Sequence, residues 1–298
     1  MFRPESFDSY IGQTKVKELL KTIVQNSVDT HSVIPHIMLV GSAGLGKTTL
    51  AKVIAKASGR NFAEICGTDI DEQFFRSMAL STNTVLFIDE IHSTPKKFVE
   101  KMYSFLEDGT ITLQTKERDI VIPVPTITVI GATTDVGLLT KSFRDRFPLT
   151  VALADYTADD IRKLIETHPA CKGNIITVDA REEIAMRSRL IPRVAISAIS
   201  GLLAMYPGQQ VSVAKALVYF GGVGIDKEGL VALDYKLLHL LRDKFPGRAA
   251  GLQTIASLLL ENEMTIRAEE QFLMKKGLIE LTQQGRIITE AGIKYIAN

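Results

Sequence analysis

Near-continuous apolar runs in the first half of the chain predict the strands of a buried sheet. They occupy residues 37–40, 85–88, 126–134 and 149–153, and a shorter strand is predicted near residues 62–65. A run without polar alternation is typical of a strand covered on both faces, as in a parallel sheet between helices. Apolar residues also recur at helical spacing, as in residues 16–24, between and around these runs. The pattern therefore predicts an α/β core.

Beyond residue 155 the strand patterns give way to helical ones. Four helical patterns are followed by a break at Gly221-Gly222-Val223-Gly224, then by three more helical patterns and two short strands around residues 283–285. Three helices followed by a two-stranded wing are typical of a winged helix, a relative of the helix-turn-helix. We predict an α/β core at residues 1–155, a helical lid at 156–222 and a winged helix at 223–298.

A glycine-rich turn after the first apolar run fits the pattern G-x-x-x-x-G-K-[ST]. Glycines let backbone N–H groups approach a phosphate, and the N-terminus of the following helix attracts the same anion. Lys47 can reach the β- and γ-phosphates, and the Thr48 hydroxyl can bind Mg²⁺. An ordinary glycine-rich turn is the alternative, but the strand and helix patterns on both sides favour a nucleotide site. The nucleotide-binding residues predicted in this loop are Gly41, Ser42, Ala43, Gly44, Leu45, Gly46, Lys47, Thr48 and Thr49.

Two acidic residues, Asp89 and Glu90, directly follow the apolar run at residues 85–88. Open α/β sheets bind ligands at the carboxyl ends of their strands. We predict that Asp89 holds Mg²⁺ and that Glu90 orients and deprotonates the attacking water. Acidic residues at a strand end are often ordinary surface residues, but a phosphate loop about forty residues upstream favours the catalytic interpretation.

Each of three further features has two possible interpretations. Phe7, Tyr10 and Ile11 could pack over a nucleotide base or staple the first helix to the core. A hairpin predicted at residues 110–124 is either a contact arm or a solvated turn. Thr134, at the end of a predicted strand, either contacts the γ-phosphate or the attacking water or serves as a cap.

The basic residues give no unambiguous site. Arg144 and Arg146 flank Asp145, and surface arginines near an aspartate are usually just solvated. Basic and acidic residues roughly cancel across residues 223–298, so protein docking is an alternative to DNA contact for the winged helix.

Composition excludes some classes of protein. The 298 residues carry a net charge of +1, so any contact with nucleic acid requires a local basic patch. Cys66 and Cys171 have no metal-like spacing and suit a reducing compartment. The N-terminal residues lack the pattern of a secretory signal, and no apolar stretch reaches the ~20 residues that span a bilayer. We expect a cytoplasmic protein without a membrane partner.

The motifs GSAGLGKTTLA, VLFIDEIH, GATT and SFRDRF occur in the order and at about the spacing of the RuvB family. The chain resembles that family over nearly its whole length, and further resemblances lie at Arg3-Pro4, Tyr10 to Gln13, Ile191 to Val194, Gly224 to Leu230, Asp234 to Lys236 and Gly285-Arg286. RuvB proteins are hexameric AAA+ motors that drive branch migration of Holliday junctions. The resemblance implies an AAA+ P-loop NTPase core with a parallel sheet, a helical lid and a C-terminal winged helix.

The resemblance also implies roles for individual residues. Arg146 would be the finger that reaches the γ-phosphate on the neighbouring subunit, Arg193 the second sensor and Thr134 the first. Tyr10 and Ile11 would flank the adenine.

The same resemblance implies cofactors and partners. They are ATP and Mg²⁺, branched or duplex DNA, a homo-oligomeric ring and a RuvA-type junction-binding protein that docks on hairpin 110–124. Arg286 matches the tip of the wing and is predicted to bind DNA.

Some positions depart from the family pattern. Ser42-Ala43 replace a usual Pro-Pro, Leu190-Ile191 replace Gly-Thr, and Gln284-Gly285-Arg286 replace Arg-Gly-Arg, while the hairpin tip is shorter and more charged. A phage- or plasmid-borne relative would fit these departures. The prediction is an ATP-dependent DNA motor that drives branch migration in recombination and repair. The alternatives are a clamp-loader-like ATPase and a non-hydrolysing nucleotide switch that acts as a DNA-binding or scaffold module; intact Glu90 and Arg146 argue against the switch.

Overall fold

A computed structural model describes residues 4–114, 118–124 and 126–297. Arg3 and residues 115–117, in the tip of the predicted hairpin, lie outside the described residues. The chain divides into two compact units, Met1–Pro169 with Ile191–Ile196, and Ala170–Leu190 with Ser197–Asn298. The predicted domain boundaries after residues 155 and 222 stay predictions.

Five strands form a parallel sheet at the centre of the first unit: β1 Ile37–Val40, β2 Asn61–Cys66, β3 Thr84–Asp89, β6 Ile127–Thr133 and β7 Leu149–Ala152. Their order across the sheet is β2-β3-β6-β1-β7. Every residue of β6 is buried, and this strand separates β1 from β3. Because the strands pair in parallel, their carboxyl ends lie at one edge of the sheet. The predicted α/β class is confirmed.

The predicted hairpin is also confirmed. Strands β4 Thr110–Gln114 and β5 Asp119–Pro123 pair in antiparallel register. Ile111 is buried and lies opposite Ile122, which packs against the same apolar cluster of the first unit. Val121, in contrast, is 61% exposed. One face of the hairpin is therefore anchored in the core, and the other is open.

Helices surround the sheet of the first unit. They are α1 Thr14–Asp29, α2 Lys47–Ala57, α3 Glu72–Ala79, α4 Lys96–Glu107, α5 Lys141–Arg144 and α6 Ala158–Thr167. Helix α3 was not predicted, although the Asp71 side chain caps it by accepting the N–H of Phe74. Pro95 occupies the cap position of α4, and the hydroxyl of the preceding Thr94 donates to the carbonyl of Ile91.

Helices dominate the chain after Thr167, as the pattern predicted. These elements are α7 Pro169–Lys172, α8 Val178–Arg187, α9 Pro192–Met205, α10 Val213–Val223, α11 Ala232–Lys244, α12 Leu252–Leu259, α13 Glu263–Lys275, β8 Ile279–Thr282, β9 Gly285–Ile288 and α14 Glu290–Ala297. Helix α14 was not predicted. The break expected at Gly221-Gly222 is wrong: both residues are helical, and the helix ends only at Gly224, whose φ of 71° suits a glycine cap.

The winged helix is confirmed within the second unit. Its core contains the fully buried side chains of Leu237, Leu238, Ile255, Ile266 and Leu273, which come from α11, α12 and α13. Strands β8 and β9 pair as the antiparallel wing. In the described ranges, no helix is both long and apolar enough to cross a membrane.

Candidate nucleotide-binding site

The glycine-rich turn joins β1 to α2 at the carboxyl edge of the sheet. Gly44 and Gly46 have φ values of 84° and 96°, a region that a side chain disfavours. A Cβ atom on Gly46 would lie 2.5 Å from the Tyr10 hydroxyl oxygen. Gly46 caps α2 without a side-chain hydrogen bond, so the first N–H groups of the helix face the turn. This backbone is suited to an anion such as a phosphate.

Lys47 is the first residue of α2, and it is only 7% exposed. Its ammonium group donates to the carbonyl oxygens of Gly41, at 2.6 Å, and Ser42, at 3.1 Å. Burial lowers its pKa, the carboxylates of Glu90 and Asp89 act in the opposite direction, and the charge of Arg193 lowers the pKa further. A buried cation therefore shares one charged site with two acids and a second cation.

Asp89 ends β3, and Glu90 follows it in a left-handed conformation with φ 46° and ψ 50°. The N–H of Glu90 donates to the Asp89 carboxylate at 3.1 Å. Burial raises the pKa of Asp89, and the neighbouring charge of Glu90 raises it further. A Cβ atom on Gly67 would lie 2.4 Å from the Glu90 carbonyl oxygen. Gly67 therefore permits the close approach of this turn, and the sequence patterns did not identify it.

The side chain of Glu90 is held by two neighbours. The hydroxyl of Thr134 donates to Glu90 Oε2 at 3.2 Å, and His92 Nδ1 lies 3.3 Å from the same oxygen. Thr134 was predicted to contact the nucleotide or the water, and the structure places it beside the predicted base. The motif VLFIDEIH ends at His92, but no role was predicted for this residue, because a histidine two positions after an acid forms no spacing motif.

Arg193 is the second residue of helix α9 and lies beside the phosphate loop. The segment Ile191–Ile196 belongs to the same compact unit as the loop. A Cβ atom on Gly44 would lie 2.6 Å from Ile191 Cγ2 and 3.3 Å from Arg193 Cβ. The structure thus brings Arg193 to the loop, as its predicted role requires.

Tyr10 is buried under the loop. Its hydroxyl lies 3.4 Å from the carbonyl oxygens of both Leu45 and Gly46 and accepts a hydrogen bond from Tyr156 at 3.5 Å. Burial raises the pKa of Tyr10 well above its usual value. Ile11, the other residue predicted to flank adenine, is half-buried. Tyr156, which patterns did not identify, completes the support of the loop.

The Arg146 side chain contacts residues of its own chain. Its guanidinium lies 2.9 Å from Glu107, donates to Ser142 and covers the Tyr103 ring at 4.1 Å from the centroid. None of these residues belongs to the phosphate loop. A finger that acts on another subunit is compatible with this position.

Arg286, on the wing, donates two hydrogen bonds to the Glu270 carboxylate, at 2.6 and 2.7 Å. The Arg286 side chain is 12% exposed. The hydrogen bond with Glu270 raises its pKa. The Arg286 guanidinium, which was predicted to bind DNA, is therefore already paired with a carboxylate of the same chain.

Comparison with known proteins gives a consistent result. The RuvB P-loop domain of the Holliday junction DNA helicase matches residues 2–153, and the RuvB C-terminal winged helix domain matches residues 227–297. The RuvB subunit of the Holliday junction branch migration complex of Bdellovibrio bacteriovorus is 36% identical over 97% of this chain and 91% of its own. The corresponding subunit of Acholeplasma laidlawii is 34% identical over 99% and 92%.

Solved structures agree with these relatives. The Thermotoga maritima RuvB Holliday junction branch migration motor is 31% identical, with a TM-score of 0.87, over 99% of this chain and 98% of that one. A point mutant of the same motor is 32% identical, with a TM-score of 0.89, over 99% of both chains.

Proposed function

The chain belongs to the RuvB family of Holliday junction branch-migration motors, and from that premise we propose how its residues divide the work. The activity is ATP hydrolysis that drives branch migration of Holliday junctions. The observation that carries this proposal is the charged site around Lys47, which Asp89, Glu90 and Arg193 share. Phosphoryl transfer needs mainly positioning and charge stabilisation, and this set of side chains supplies both.

The phosphate loop binds the nucleotide. The N–H groups of the turn and of the first turn of α2 surround the phosphates, and Lys47 exchanges its bonds to Gly41 and Ser42 for phosphate oxygens. Tyr10 supports the loop from below, and Ile11 packs against the adenine edge. Arg193 adds a second cation to the phosphate side, since its charge already acts on Lys47.

Thr48 and Asp89 would hold Mg²⁺ when nucleotide is bound. A hydroxyl and a carboxylate are hard oxygen ligands, and Mg²⁺ is usually bound by one or two such groups together with phosphates and water. The described residues contain no cluster of three or more His, Cys, Asp or Glu side chains suited to a metal. The donor set thus fits an ion that arrives with the nucleotide and neutralises charge on the phosphates.

Glu90 acts on the attacking water. Among the described residues, the Thr134 hydroxyl and His92 Nδ1 both lie beside Oε2, so we assign Oε1 as the oxygen that accepts a proton from water. Arg146 of one subunit acts on the γ-phosphate of the next, so that hydrolysis needs a ring, which we propose to be hexameric. Thr134 contacts the γ-phosphate when it is bound, and this contact changes the hydrogen bond that Thr134 donates to the Glu90 carboxylate.

Contacts outside the nucleotide site complete the proposal. The open face of the β4–β5 hairpin, with Val121 exposed, docks a RuvA-type junction-binding protein. The winged helix contacts branched or duplex DNA, with Arg286 as the wing residue predicted to take part.

The central test combines two variants with one control. Lys47→Ala should abolish tight nucleotide binding, whereas Glu90→Gln should keep binding and stop turnover, because an amide cannot take a proton from water. Glu100→Gln, an exposed acid on α4, is the matched control and should be unchanged. Single-turnover ATP hydrolysis and branch migration of a synthetic four-way junction are measured, with and without a RuvA-type protein. Normal hydrolysis by Glu90→Gln would overturn the assignment of the base.

A further inference from the structure

His92 lies directly beside the predicted catalytic base. Glu90 adopts a left-handed conformation and leads into the short helical turn Ile91–Ser93. This turn brings His92 Nδ1 to 3.3 Å from Glu90 Oε2, and the His92 side chain is only 8% exposed. A non-glycine residue in a left-handed conformation has an energetic cost, and such residues concentrate at functional sites. The backbone geometry thus directs both side chains toward one point.

The hydrogen bonds around His92 define which of its nitrogens carries a hydrogen. Nδ1 lies 2.9 Å from the Thr133 hydroxyl. That hydroxyl has one hydrogen, which it donates to the carbonyl of Asp135 at 3.1 Å, while it accepts the N–H of the same residue at 3.1 Å. Carboxylate oxygens of Glu90 can only accept. Nδ1 therefore faces two acceptors and carries the hydrogen.

Thr134 also contacts the Glu90 carboxylate, but its proposed role requires it to contact the nucleotide or the water instead. Thr134 donates its single hydroxyl hydrogen to Glu90 Oε2 at 3.2 Å. If Thr134 turns to the γ-phosphate or to the attacking water, as its proposed role requires, that hydrogen bond is lost. His92 Nδ1, which is buried and bonded to the Thr133 hydroxyl at 2.9 Å, then remains beside Glu90 Oε2 at 3.3 Å.

We propose that His92 is a positioning residue that holds the Glu90 carboxylate, through its Nδ1–H group on Oε2, in the orientation that accepts a proton from water. The inference rests on the proposed role of Glu90 as the base. It predicts that His92 affects the hydrolytic step and leaves nucleotide affinity alone, because the nucleotide contacts come from other residues.

Three substitutions separate positioning from packing. Asparagine places an amide N–H at the location of Nδ1, glutamine extends its amide toward the location of Nε2, and alanine removes both. His92→Ala should lower the single-turnover rate about 10- to 100-fold, since small misplacements of catalytic groups have effects of this order, and nucleotide affinity should change less than about twofold. His92→Asn should recover most of the rate, and His92→Gln should stay near alanine.

The outcomes separate this inference from the proposed function. If Glu90→Gln stops hydrolysis while His92→Ala keeps the normal rate, the inference is wrong and the proposed base stands. Equal losses in the asparagine and glutamine variants, or a parallel loss of nucleotide affinity, would also overturn it. The double variant Glu90→Gln with His92→Ala should be no slower than Glu90→Gln, because a positioning residue has no effect once its target is gone. If Glu90→Gln itself hydrolyses ATP normally, the proposed function fails first.

Discussion

Arg286 and Glu270 form a two-bond ion pair that ties the wing to helix α13. The two nitrogen–oxygen distances are 2.6 and 2.7 Å, and the side chains are 12% and 6% exposed. Removing one partner of a buried pair leaves a charge without compensation, which costs about 3 to 5 kcal/mol. Arg286 is therefore a structural residue of the wing, whatever it contributes to DNA binding.

Arg286→Ala should lower the stability of the winged helix by about 3 kcal/mol, measured by urea unfolding, because Glu270 stays buried and unpaired. Arg286→Met combined with Glu270→Leu removes both charges and should recover most of that loss. The double variant then tests DNA contact without a folding defect. A phosphate contact by Arg286 predicts a salt slope of binding lower by about one unit, and a normal slope would exclude the contact.

A second prediction concerns Leu260, which caps α12 with φ 56° and is 92% exposed. A leucine in this conformation is strained and gains nothing from burial, and glycine adopts the conformation without strain. Leu260→Gly should therefore stabilise the chain by up to about 1 kcal/mol in thermal or urea unfolding. Leu258→Gly is the matched control: it is also exposed but lies inside α12, so it should destabilise by about 1 kcal/mol. Destabilisation by both variants would show that the conformation of Leu260 is not strained.

The central features of this fold could be predicted because their causes are local. The four residues before Asp89 are all apolar, a pattern typical of a short strand buried on both faces. The turn from Gly41 to Thr48 fits a pattern in which each fixed residue has its own role in binding phosphate or Mg²⁺. Neither inference needed knowledge of distant parts of the chain.

What sequence reasoning missed depends on contacts that form only in the folded chain. Tyr156 donates a hydrogen bond to Tyr10, a residue far from it in the sequence. The partner of Arg286 is Glu270, which lies on helix α13 and not on the wing. The backbone conformation of Leu190, with φ 59°, was equally unforeseen. It gives a physical reason for the glycine expected in the family near this turn, since glycine adopts that conformation without strain.

His36 gives a prediction about pH. Burial lowers its pKa to about 4, and a backbone hydrogen bond with Leu106 opposes this shift in part. Its Nδ1 accepts the N–H of Val129 at 3.0 Å, which only the neutral ring can do. The folded state therefore binds the proton less well than the unfolded state, whose histidine pKa is near 6.5. This contribution to stability is complete above pH 6.5 and falls by up to about 3 kcal/mol as the pH approaches 4.

The matched variant is His36→Asn, whose amide oxygen can accept the Val129 N–H and does not titrate. Urea unfolding at a series of pH values should show a smaller loss of stability between pH 6.5 and 4 than in the unmodified chain. The carboxylates titrate in both proteins, so only the difference between the two curves reports His36. Parallel curves would mean that His36 is not protonated on unfolding in this range.

The last prediction concerns Arg146 and the ring. Its contact with Glu107 involves an acid that is 60% exposed, and an exposed ion pair is worth about 1 kcal/mol or less. The contact therefore does not prevent Arg146 from reaching a neighbouring subunit. Arg146→Ala should bind ATP almost normally and hydrolyse it about 10³- to 10⁵-fold more slowly, as expected for the loss of an arginine finger. Arg146→Lys should restore little, because an ammonium lacks the planar fork of the guanidinium.

Mixing two inactive variants tests whether Arg146 acts between subunits. Arg146→Ala subunits keep an intact phosphate loop, and Lys47→Ala subunits keep an intact finger. In mixed rings some interfaces pair an intact loop with an intact finger, so ATP hydrolysis should partly return and should depend on protein concentration. Arg144→Ala is the control, since this neighbour has no assigned role and should lose far less activity; a larger loss would move the finger to Arg144. If mixed rings form, as measured by exchange of labelled subunits, and activity does not return, then Arg146 does not act in trans or every interface must be intact. A single Lys47→Ala subunit in an otherwise unmodified ring separates these two cases, because only the second abolishes hydrolysis at all the remaining interfaces.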